Sequence, residues 1–346
     1  IALGALGTDA LAQVSFSPPL TTVVRTSGVS VAPLHRSLAV ADLNGDLFLD
    51  AAVLDSAGSG SAVSVLLNQG DGSLSPPIRS AYIGNTSRSI AAGDIDGDGD
   101  MDLVVASEGG FGEPPPPSSL AVLLNDGTGV FTAGQLLACS GITQTAAVLT
   151  DFNHDGRADL AAINFHFDLC VFPGGDGGFG APTQYAIPVQ TKVLGAADLD
   201  GDGEQDLAIG TNGIVILRNL GNGVMGAPVP YWAQGRTCVR LNAVVVGNAQ
   251  VNGAARRNIV IYRNLGNASL AAPVEIDSTL HPASIVTGDF DFDGDLDVAI
   301  AHCNGCGLGG ETPGLRNAAS IMLNDGTGTL AAPVSFASGG PDNAQY

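Results

Sequence analysis

Residues 91–107, which read AAGDIDGDGDMDLVVAS, combine an acidic turn with the start of a β-strand. Five aspartates lie within nine residues, at positions 94, 96, 98, 100 and 102, and β-type apolar residues follow at once. Because like charges a few ångströms apart repel each other, such a turn is costly unless a cation lies inside it. The stretch therefore predicts a bound cation and a strand directly after it.

The same pattern recurs along the chain. Related stretches are AVADLNGDLFLDAAVLD from Ala39, VLTDFNHDGRADLAAIN from Val148, GAADLDGDGEQDLAIGT from Gly195 and VTGDFDFDGDLDVAIAH from Val286. A further copy, VVVGNAQVNGAARRNIVIY from Val244, keeps the apolar flanks and loses the acids. The loops start 41 to 57 residues apart, and a repeat of that length is typical of a solenoid or a propeller.

The acidity of the chain is confined to these turns. There are 34 acidic and 13 basic residues, which gives a formal net charge of −21. The five acidic loops hold 21 of the acidic residues, and the remaining 13 are balanced by the 13 Lys and Arg. The sequence has no basic stripe of the kind that binds nucleic acid, so we expect no nucleic-acid partner. No apolar run is long enough to span a membrane, so we expect no membrane insertion.

A second signature consists of a strand, a Gly/Asn/Asp turn, an apolar residue and usually a proline. It reads LLNQGDGSLSPP from Leu66, LLNDGTGVFTAG from Leu123, VFPGGDGGFGAP from Val171, LRNLGNGVMGAP from Leu217, YRNLGNASLAAP from Tyr262 and MLNDGTGTLAAP from Met322. Each repeat then contains strand A, the acidic loop, strand B, a connector, strand C, the glycine turn and strand D. This order predicts an all-β protein, a β-propeller built from four-stranded antiparallel blades.

The number of blades depends on the chain termini. Repeats start near residues 36, 88, 144, 192, 239 and 283, and residues 14–24, VSFSPPLTTVV, resemble a lone strand D. A propeller closes well when one terminus supplies the outer strand of a blade begun by the other terminus. We therefore predict a single domain over residues 13–346 with seven blades, the last truncated at the C-terminus; the alternative is a six-bladed ring with a spare N-terminal strand.

The first residues and the cysteines bear on localisation. Residues 1–12 end in an A-x-A-like site before Gln13, which we interpret as the remnant of a signal peptide, although an ordinary strand and turn is the alternative. We predict a secreted protein, extracellular or at the cell surface, with the periplasm as the alternative. Of the five cysteines, Cys303 and Cys306 share a loop, and a disulfide between them is favoured over zinc; Cys139, Cys170 and Cys238 leave one unpaired or with a partner outside this sequence.

The acidic loop carries oxygen ligands at positions 1, 3, 5 and 9, and these positions converge on one point. The candidate ligands are Asp42, Asn44, Asp46 and Asp50; Asp94, Asp96, Asp98 and Asp102; Asp151, Asn153, Asp155 and Asp159; Asp198, Asp200, Asp202 and Asp206; and Asp289, Asp291, Asp293 and Asp297. With a carbonyl at position 7, this set suits Ca²⁺ better than Mg²⁺. Glycine at position 6 permits the sharp turn in four loops, whereas the first has Leu47 there and Gly45 two residues earlier. We predict up to five structural calcium ions.

An EF-hand is the other interpretation of such a loop, and the sequence rejects it. An EF-hand needs a bidentate Glu at position 12 and a helix on either side. Position 12 here is Val105, Ala162, Ile209 or Ile300, inside β-rich runs. No His or Cys completes a transition-metal site, and a closed set of protein oxygens leaves no position for a substrate.

The paired motifs resemble a known family. Gly178 to Pro182 read GFGAP and follow a D-x-N-x-D-G-x-x-D loop, and over residues 14–346 the chain is similar to the FG-GAP/VCBS repeat family, which includes the propeller of integrin α subunits and lectin-like propellers. The resemblance implies calcium at positions 1, 3, 5 and 9. It implies none at Asn248–Asn258, where Asn and Gln replace Asp.

The function expected from these features is binding. Connectors at 108–119, 164–168 and 302–317 fall on the face opposite the acidic loops, and variable loops on a rigid scaffold often bind partners. We predict a calcium-stabilised binding or adhesion module for a protein or glycan ligand, within a larger surface protein or assembly. A lectin is the alternative, although aromatic residues make up only 5% of the chain. A domain of an extracellular hydrolase comes third, and the lack of G-x-S-x-G and H-E-x-x-H motifs favours a protein that is not an enzyme.

Overall fold

The structure is a computed structural model, and the residues that it describes consist of strands and the turns between them. It describes residues 38–57, 60–71, 73–80, 86–108, 119–139, 144–164, 168–187, 193–210, 213–232, 236–240, 244–248, 250–251, 254–255, 258–261, 270, 272, 274–277, 281–288, 290–291, 293, 297–303, 318–324 and 330–337. Among these residues, no helix is long and apolar enough to cross a membrane. The predicted all-β class is confirmed.

Six four-stranded antiparallel sheets, here called blades 1 to 6, follow one another along the described chain. Blade 1 contains β1 (Leu38–Ala41), β2 (Asp50–Ala57), β3 (Gly60–Leu66) and β4 (Ile78–Arg79); blade 2 contains β5 (Thr86–Gly93), β6 (Asp102–Glu108), β7 (Ser119–Asn125) and β8 (Phe131–Leu137); blade 3 contains β9 (Gln144–Thr150), β10 (Asp159–Asn164), β11 (Asp168–Phe172) and β14 (Thr183–Ala186). Blade 4 contains β15 (Val193–Ala197), β16 (Asp206–Gly210), β17 (Gly213–Leu217) and β18 (Val229–Trp232); blade 5 contains β19 (Arg236–Arg240), β20 (Val244–Asn248), β23 (Asn258–Ile261) and β24 (Val274–Asp277); blade 6 contains β25 (His281–Gly288), β26 (Asp297–Cys303), β27 (Ala318–Met322) and β28 (Val334–Ala337). Two short ribbons pair β12 (Gly174–Gly175) with β13 (Gly178–Phe179), and β21 (Gln250–Val251) with β22 (Ala254–Ala255).

Consecutive strands of each blade are neighbours in the sheet, as predicted for a propeller blade. The strand at 14–24 that would close a seventh blade lies outside the described residues, as do the leader at 1–12 and the chain end at 338–346. The seven-blade ring and the leader therefore stay predictions. Blades 1 to 4 belong to one compact unit and blades 5 and 6 to another, and the single domain over residues 13–346 also stays a prediction.

The second strand is fully buried in blades 3 and 4. Every residue of β10 and β16 is buried, which explains why DLAAIN and DLAIG show no alternation of polar and apolar residues. The fourth strand is the outer one, and β14 exposes three of its four residues. Apolar side chains fill three clusters, between blades 1 and 2, blades 2 and 3, and blades 3 and 4. The acidic loops are therefore attached at both ends to a packed core.

A disulfide joins blade 2 to blade 3. Cys139 follows β8 and Cys170 lies in β11, with their Cα atoms 5.9 Å apart and both side chains buried. The sequence left the pairing of Cys139, Cys170 and Cys238 open, and the structure assigns it. Cys306 lies outside the described residues, so the pairing of Cys303 with Cys306 stays a prediction.

Blade 5 departs from the predicted arrangement. The stretch Asn248–Asn258 was expected between the first and second strands, where the acidic loops lie, but it connects β20 to β23, the second and third strands. The first two strands of this blade, β19 and β20, are joined by residues 241–243 alone. The prediction was wrong because similar apolar runs flank both connections. Three residues are too few to supply positions 1, 3, 5 and 9 of an acidic loop.

Candidate metal-binding loops

Each of the five acidic loops connects the first strand of a blade to the second. Named after their blades, they are loop 1 (42–50), loop 2 (94–102), loop 3 (151–159), loop 4 (198–206) and loop 6 (289–297). Position 9 begins the second strand and is paired with the residue before position 1; in blade 2, Gly93 is opposite Asp102. The same pairing occurs in blades 1, 3, 4 and 6. The first residue pair between the two strands therefore brings the two ends of each loop together.

The aspartate at position 9 is buried and accepts hydrogen bonds through both carboxylate oxygens. Asp102 has no exposed surface; its Oδ2 accepts the N–H of Ile95 at 2.9 Å and its Oδ1 accepts that of Asn125 at 2.8 Å. Equivalent pairs of bonds hold the other position-9 residues, Asp50, Asp159, Asp206 and Asp297. Because a buried carboxylate requires such partners, this residue ties its loop to the turn between the third and fourth strands.

The aspartate at position 1 accepts backbone N–H groups from inside its own loop. Asp42 Oδ1 accepts the N–H of Gly45 and its Oδ2 that of Leu47, both at 2.8 Å. Desolvation raises the pKa of Asp42, but its backbone donors outweigh this effect and leave the pKa lowered. The bond to the position-6 N–H recurs at 3.2, 2.8 and 3.0 Å for Asp94, Asp151 and Asp198. These bonds curl each loop around its first carboxylate.

Positions 4 and 6 both adopt the left-handed backbone conformation. Position 4 is Gly45, Gly97, His154 and Gly201, with φ of 75°, 81°, 58° and 79°; position 6 is Leu47, Gly99, Gly156 and Gly203, with φ of 70°, 96°, 85° and 95°. The sequence predicted a need for this conformation at position 6 alone. Gly45, two residues before Leu47, is not a displaced position-6 glycine, because it occupies position 4 as Gly97 and Gly201 do. Leu47 accepts the left-handed conformation that glycine adopts more readily.

Side chains at positions 3 and 5 accept the N–H two residues further on, as in an Asx turn. In loop 2, Asp96 Oδ1 accepts the N–H of Asp98 at 3.3 Å, and Asp98 Oδ1 accepts that of Asp100 at 2.9 Å. In loops 1 and 3 position 3 is an asparagine, and its amide donates to the position-5 carboxylate at 3.0 Å. In loops 1 and 3 the asparagine thus removes the repulsion between positions 3 and 5 that two aspartates cause in loops 2 and 4.

In loops 2 and 4 the carboxylates at positions 1, 3 and 9 converge. One oxygen from each of Asp94, Asp96 and Asp102 lies within 4.8 Å of the other two, and Asp198, Asp200 and Asp206 form the same cluster. Among the described residues, the position-5 carboxylates Asp98 and Asp202 belong to neither cluster. The structure therefore brings together three of the four predicted ligands in each of these loops.

The electrostatics of the clusters favour a cation. Burial raises the pKa of Asp102, the N–H groups of Asn125 and Ile95 oppose that rise, and the neighbouring carboxylates of Asp96 and Asp98 add to it. Burial likewise raises the pKa of Asp159 and Asp206 against their backbone donors. A cation between the carboxylates would reverse these shifts and remove the repulsion. A donor set made only of carboxylate and carbonyl oxygens fits a hard ion such as Ca²⁺.

Loop 6 is described in part. Asp291, Asp293 and Asp297 belong to the described residues, whereas Asp289 at position 1 lies outside them. Asp297 is buried, and its two oxygens accept the N–H groups of Phe290 and Asn324, both at 2.8 Å. Position 9 of loop 6 is therefore held as in the other four loops.

An asparagine at the end of the third strand links neighbouring loops, and the sequence analysis treated it only as a turn residue. Asn125 Nδ2 donates to the carbonyl of Leu43 in loop 1 at 2.9 Å and to that of Met101 in loop 2 at 3.1 Å. Asn219 Nδ2 donates in the same way to the carbonyl of Phe152 in loop 3 at 2.8 Å. The recurring Leu-Asn and Arg-Asn pairs of the second signature were the available signal.

Two basic side chains contact loop 4. The guanidinium of Arg218, which follows β17, is paired with the position-3 carboxylate of Asp200. His154 Nε2 lies 3.2 Å from a carboxylate oxygen of Glu204. Spacing along the chain did not predict either contact, because each joins segments from different turns.

Comparison with known proteins agrees with this architecture. Residues 42–105 and 241–300 match the family model described as FG-GAP-like repeat, which confirms the resemblance seen in the sequence. The crystal structure of BBS1N in complex with ARL6DN, soaked with lead, is similar with a TM-score of 0.58 at 10% identity, covering 91% of this chain and 85% of that one. A Lactobacillus plantarum protein is similar with a TM-score of 0.60 at 12% identity, covering 89% and 86% of the two chains. At such identities the likeness shows the fold. No curated protein matches the chain.

Proposed function

We propose that this chain, which carries FG-GAP-like repeats, is a calcium-stabilised propeller module that binds a protein partner. The observation that carries the calcium proposal is the convergence of three carboxylates within 4.8 Å in loop 2 and again in loop 4. Positions 1, 3 and 9 would hold the ion, joined by position 5 and the position-7 carbonyl as the sequence predicts. A bound ion would supply positive charge that offsets the repulsion between the aspartates.

The role of the ion is structural in this proposal. The residues at positions 1 and 9 already bind backbone N–H groups through both oxygens in loops 1 and 4, so they fix the loop and its attachment to the third strand. No step in substrate conversion is assigned to these carboxylates, and we propose a binding protein and not an enzyme. Loops 1, 3 and 6 would hold calcium as well, giving up to five ions.

The partner and the location are supported less directly. BBS1N, which has the same fold, is seen in complex with ARL6DN, and this supports a protein ligand for the present chain. We place that ligand, or a glycan in the alternative, on the side of the connectors between the second and third strands; most of those residues lie outside the described ones. The buried Cys139–Cys170 disulfide supports a secreted protein, because disulfides persist in oxidising compartments.

Chelation tests the calcium proposal. Metal that binds only the folded chain stabilises it by mass action, by about 2.7 kcal/mol for one site at a hundredfold excess over its Kd. The melting temperature should therefore rise clearly from excess EGTA to millimolar calcium, with magnesium at the same concentration as the control. An unchanged melting temperature in protein shown to be calcium-loaded would refute a structural role for the metal.

The class of partner is tested separately. Calcium-loaded chain should bind no glycan on a glycan array and should bind protein ligands with an affinity that chelation reduces. Specific, saturable glycan binding would favour the lectin alternative and contradict the protein-binding proposal.

A further inference from the structure

Loops 2 and 4 form a matched pair within one compact unit. Their sequences, DIDGDGDMD and DLDGDGEQD, have aspartate at positions 1, 3, 5 and 9 and glycine at positions 4 and 6. Both bring the carboxylates of positions 1, 3 and 9 together. The loops differ only at positions 2, 7 and 8, whose side chains are not predicted ligands. We therefore expect a difference in cation affinity between the two loops to come mainly from residues around them.

The residue that precedes the third-strand asparagine differs between the two blades. In blade 2 it is Leu124, which packs against the apolar cluster between blades 2 and 3. In blade 4 it is Arg218, and its guanidinium pairs with Asp200 at position 3. The Asp200 side chain is only 2% exposed, whereas that of Arg218 is 44% exposed. The Arg218 side chain therefore extends from the solvent-exposed surface to the loop 4 cluster, and its guanidinium contacts a buried carboxylate there.

Within the part of the chain that the structure describes, loop 2 has no equivalent cation on its position-3 carboxylate. Among the described side chains, no basic group pairs with Asp96. Arg157 Nη1 lies 4.0 Å from the point where a Cβ on Gly97 would be, but its guanidinium is paired with Asp176. His154, the other basic group near loop 4, contacts Glu204 at position 7 and no residue of the cluster.

We propose that Arg218 is a built-in counter-ion of loop 4 that competes with calcium for Asp200. This inference rests on the proposed calcium function. Without metal, the guanidinium neutralises part of the cluster and holds loop 4 in shape, whereas in loop 2 backbone N–H groups alone, among the described residues, offset the repulsion between the carboxylates. With metal, calcium at loop 4 must displace a charge-assisted hydrogen bond that loop 2 lacks. Loop 2 is then the tighter site, and loop 4 responds at higher calcium concentration.

Hydrogen exchange of loop peptides in the full chain, followed by mass spectrometry, resolves the two sites. Wild-type protein, Arg218→Leu, and Arg79→Leu as a charge-matched control are titrated with free Ca²⁺ from chelator to millimolar; Arg79 lies in β4, outside every acidic loop. In wild type the protection midpoint of residues 198–206 should lie roughly five- to tenfold above that of residues 94–102. Arg218→Leu should remove that gap by lowering the loop 4 midpoint, and Arg79→Leu should leave it in place.

A second readout needs no metal. In chelator, loop 4 should exchange more slowly than loop 2 in wild type, and Arg218→Leu should abolish this difference. Equal wild-type midpoints that Arg218→Leu does not shift would overturn the counter-ion proposal while leaving calcium binding intact. If calcium does not change the hydrogen exchange of either loop in any variant, both proposals are wrong. If the slow metal-free exchange of loop 4 persists in Arg218→Leu, the counter-ion role alone is wrong.

Discussion

Replacing Asn125 by alanine should destabilise the chain far more than replacing its counterpart Asn68. Asn125 is 6% exposed, and its side chain donates to two carbonyls, those of Leu43 at 2.9 Å and Met101 at 3.1 Å, and accepts the N–H of Gly129 at 3.1 Å. Each lost bond removes about 1 kcal/mol, and a buried group left without its partner costs about 1–3 kcal/mol. We expect a loss of about 3–5 kcal/mol for Asn125→Ala.

Asn68 occupies the same place in blade 1 and is the matched control. Its amide donates to the carbonyl of Leu49 at 3.3 Å and its Oδ1 accepts the N–H of Gly70 at 3.0 Å, both at exposed positions. Because water replaces exposed hydrogen bonds, we expect a loss of at most about 1 kcal/mol for Asn68→Ala.

Urea unfolding and thermal melts, both in saturating calcium, measure the two losses. An unfolding entropy of about 2.1 cal/mol/K per residue gives about 1.4 °C per kcal/mol for 346 residues. The melting temperature should therefore fall by roughly 4–7 °C for Asn125→Ala and by at most about 1–2 °C for Asn68→Ala. Equal losses for the two variants would refute the reasoning, because they would show that the bond from Asn125 to loop 1 adds nothing.

Three further perturbations follow from the loops and the disulfide. Leu47 has φ of 70° and is 90% exposed, so Leu47→Gly should stabilise the chain by about 0.5–1 kcal/mol in urea unfolding, the left-handed cost of leucine less the entropy of glycine; a loss of stability would contradict this. Cys139 and Cys170 are 31 residues apart, so changing both to alanine should lower the free energy of unfolding by roughly 3–4 kcal/mol under non-reducing conditions, and a loss under 1 kcal/mol would show that the bridge constrains little. In the metal-free chain, burial raises the pKa of Asp102, Asp159 and Asp206, so stability from these groups is present below the unfolded pKa of about 4 and is lost as pH rises through the raised values. Calcium needs the ionised carboxylates, so the difference in melting temperature between calcium-loaded and metal-free protein should shrink as the pH is lowered from 7 towards the unfolded pKa of about 4; a constant difference over this range would contradict the raised pKa values.

The period of the acidic turns was enough to predict the blades. An Asp-rich turn followed by an apolar run recurs at nearly constant spacing, and the strands begin close to the predicted repeat starts, as at Gln144 and Val193. Position 9 was predicted as a ligand from its residue type. Its second role, binding the backbone of the third strand, was not predicted because that partner lies 23 residues further along in blade 2.

The misplacement in blade 5 has a physical cause. Residues 244–248 and 258–261 both contain runs of Val and Ile. Such runs are typical of the first and second strands of a blade as well as of the second and third strands, so the sequence alone did not distinguish the two assignments. Arg263 and Asn264 follow β23 almost at once, and this pair marks the end of a third strand in blade 4, where Arg218 and Asn219 follow β17. That spacing was the signal for the correct assignment. The contacts of Arg218 and the Cys139–Cys170 pairing depend on distances between segments that no local pattern encodes.

Anomalous scattering from crystals grown in saturating calcium tests the central claim most directly. Peaks are predicted in loops 2 and 4, between the carboxylates of Asp94, Asp96 and Asp102 and those of Asp198, Asp200 and Asp206, with further peaks in loops 1, 3 and 6. No peak is predicted at residues 241–243 or 248–258 of blade 5. The absence of calcium from both loop 2 and loop 4 under these conditions would contradict the claim that the acidic loops are calcium sites.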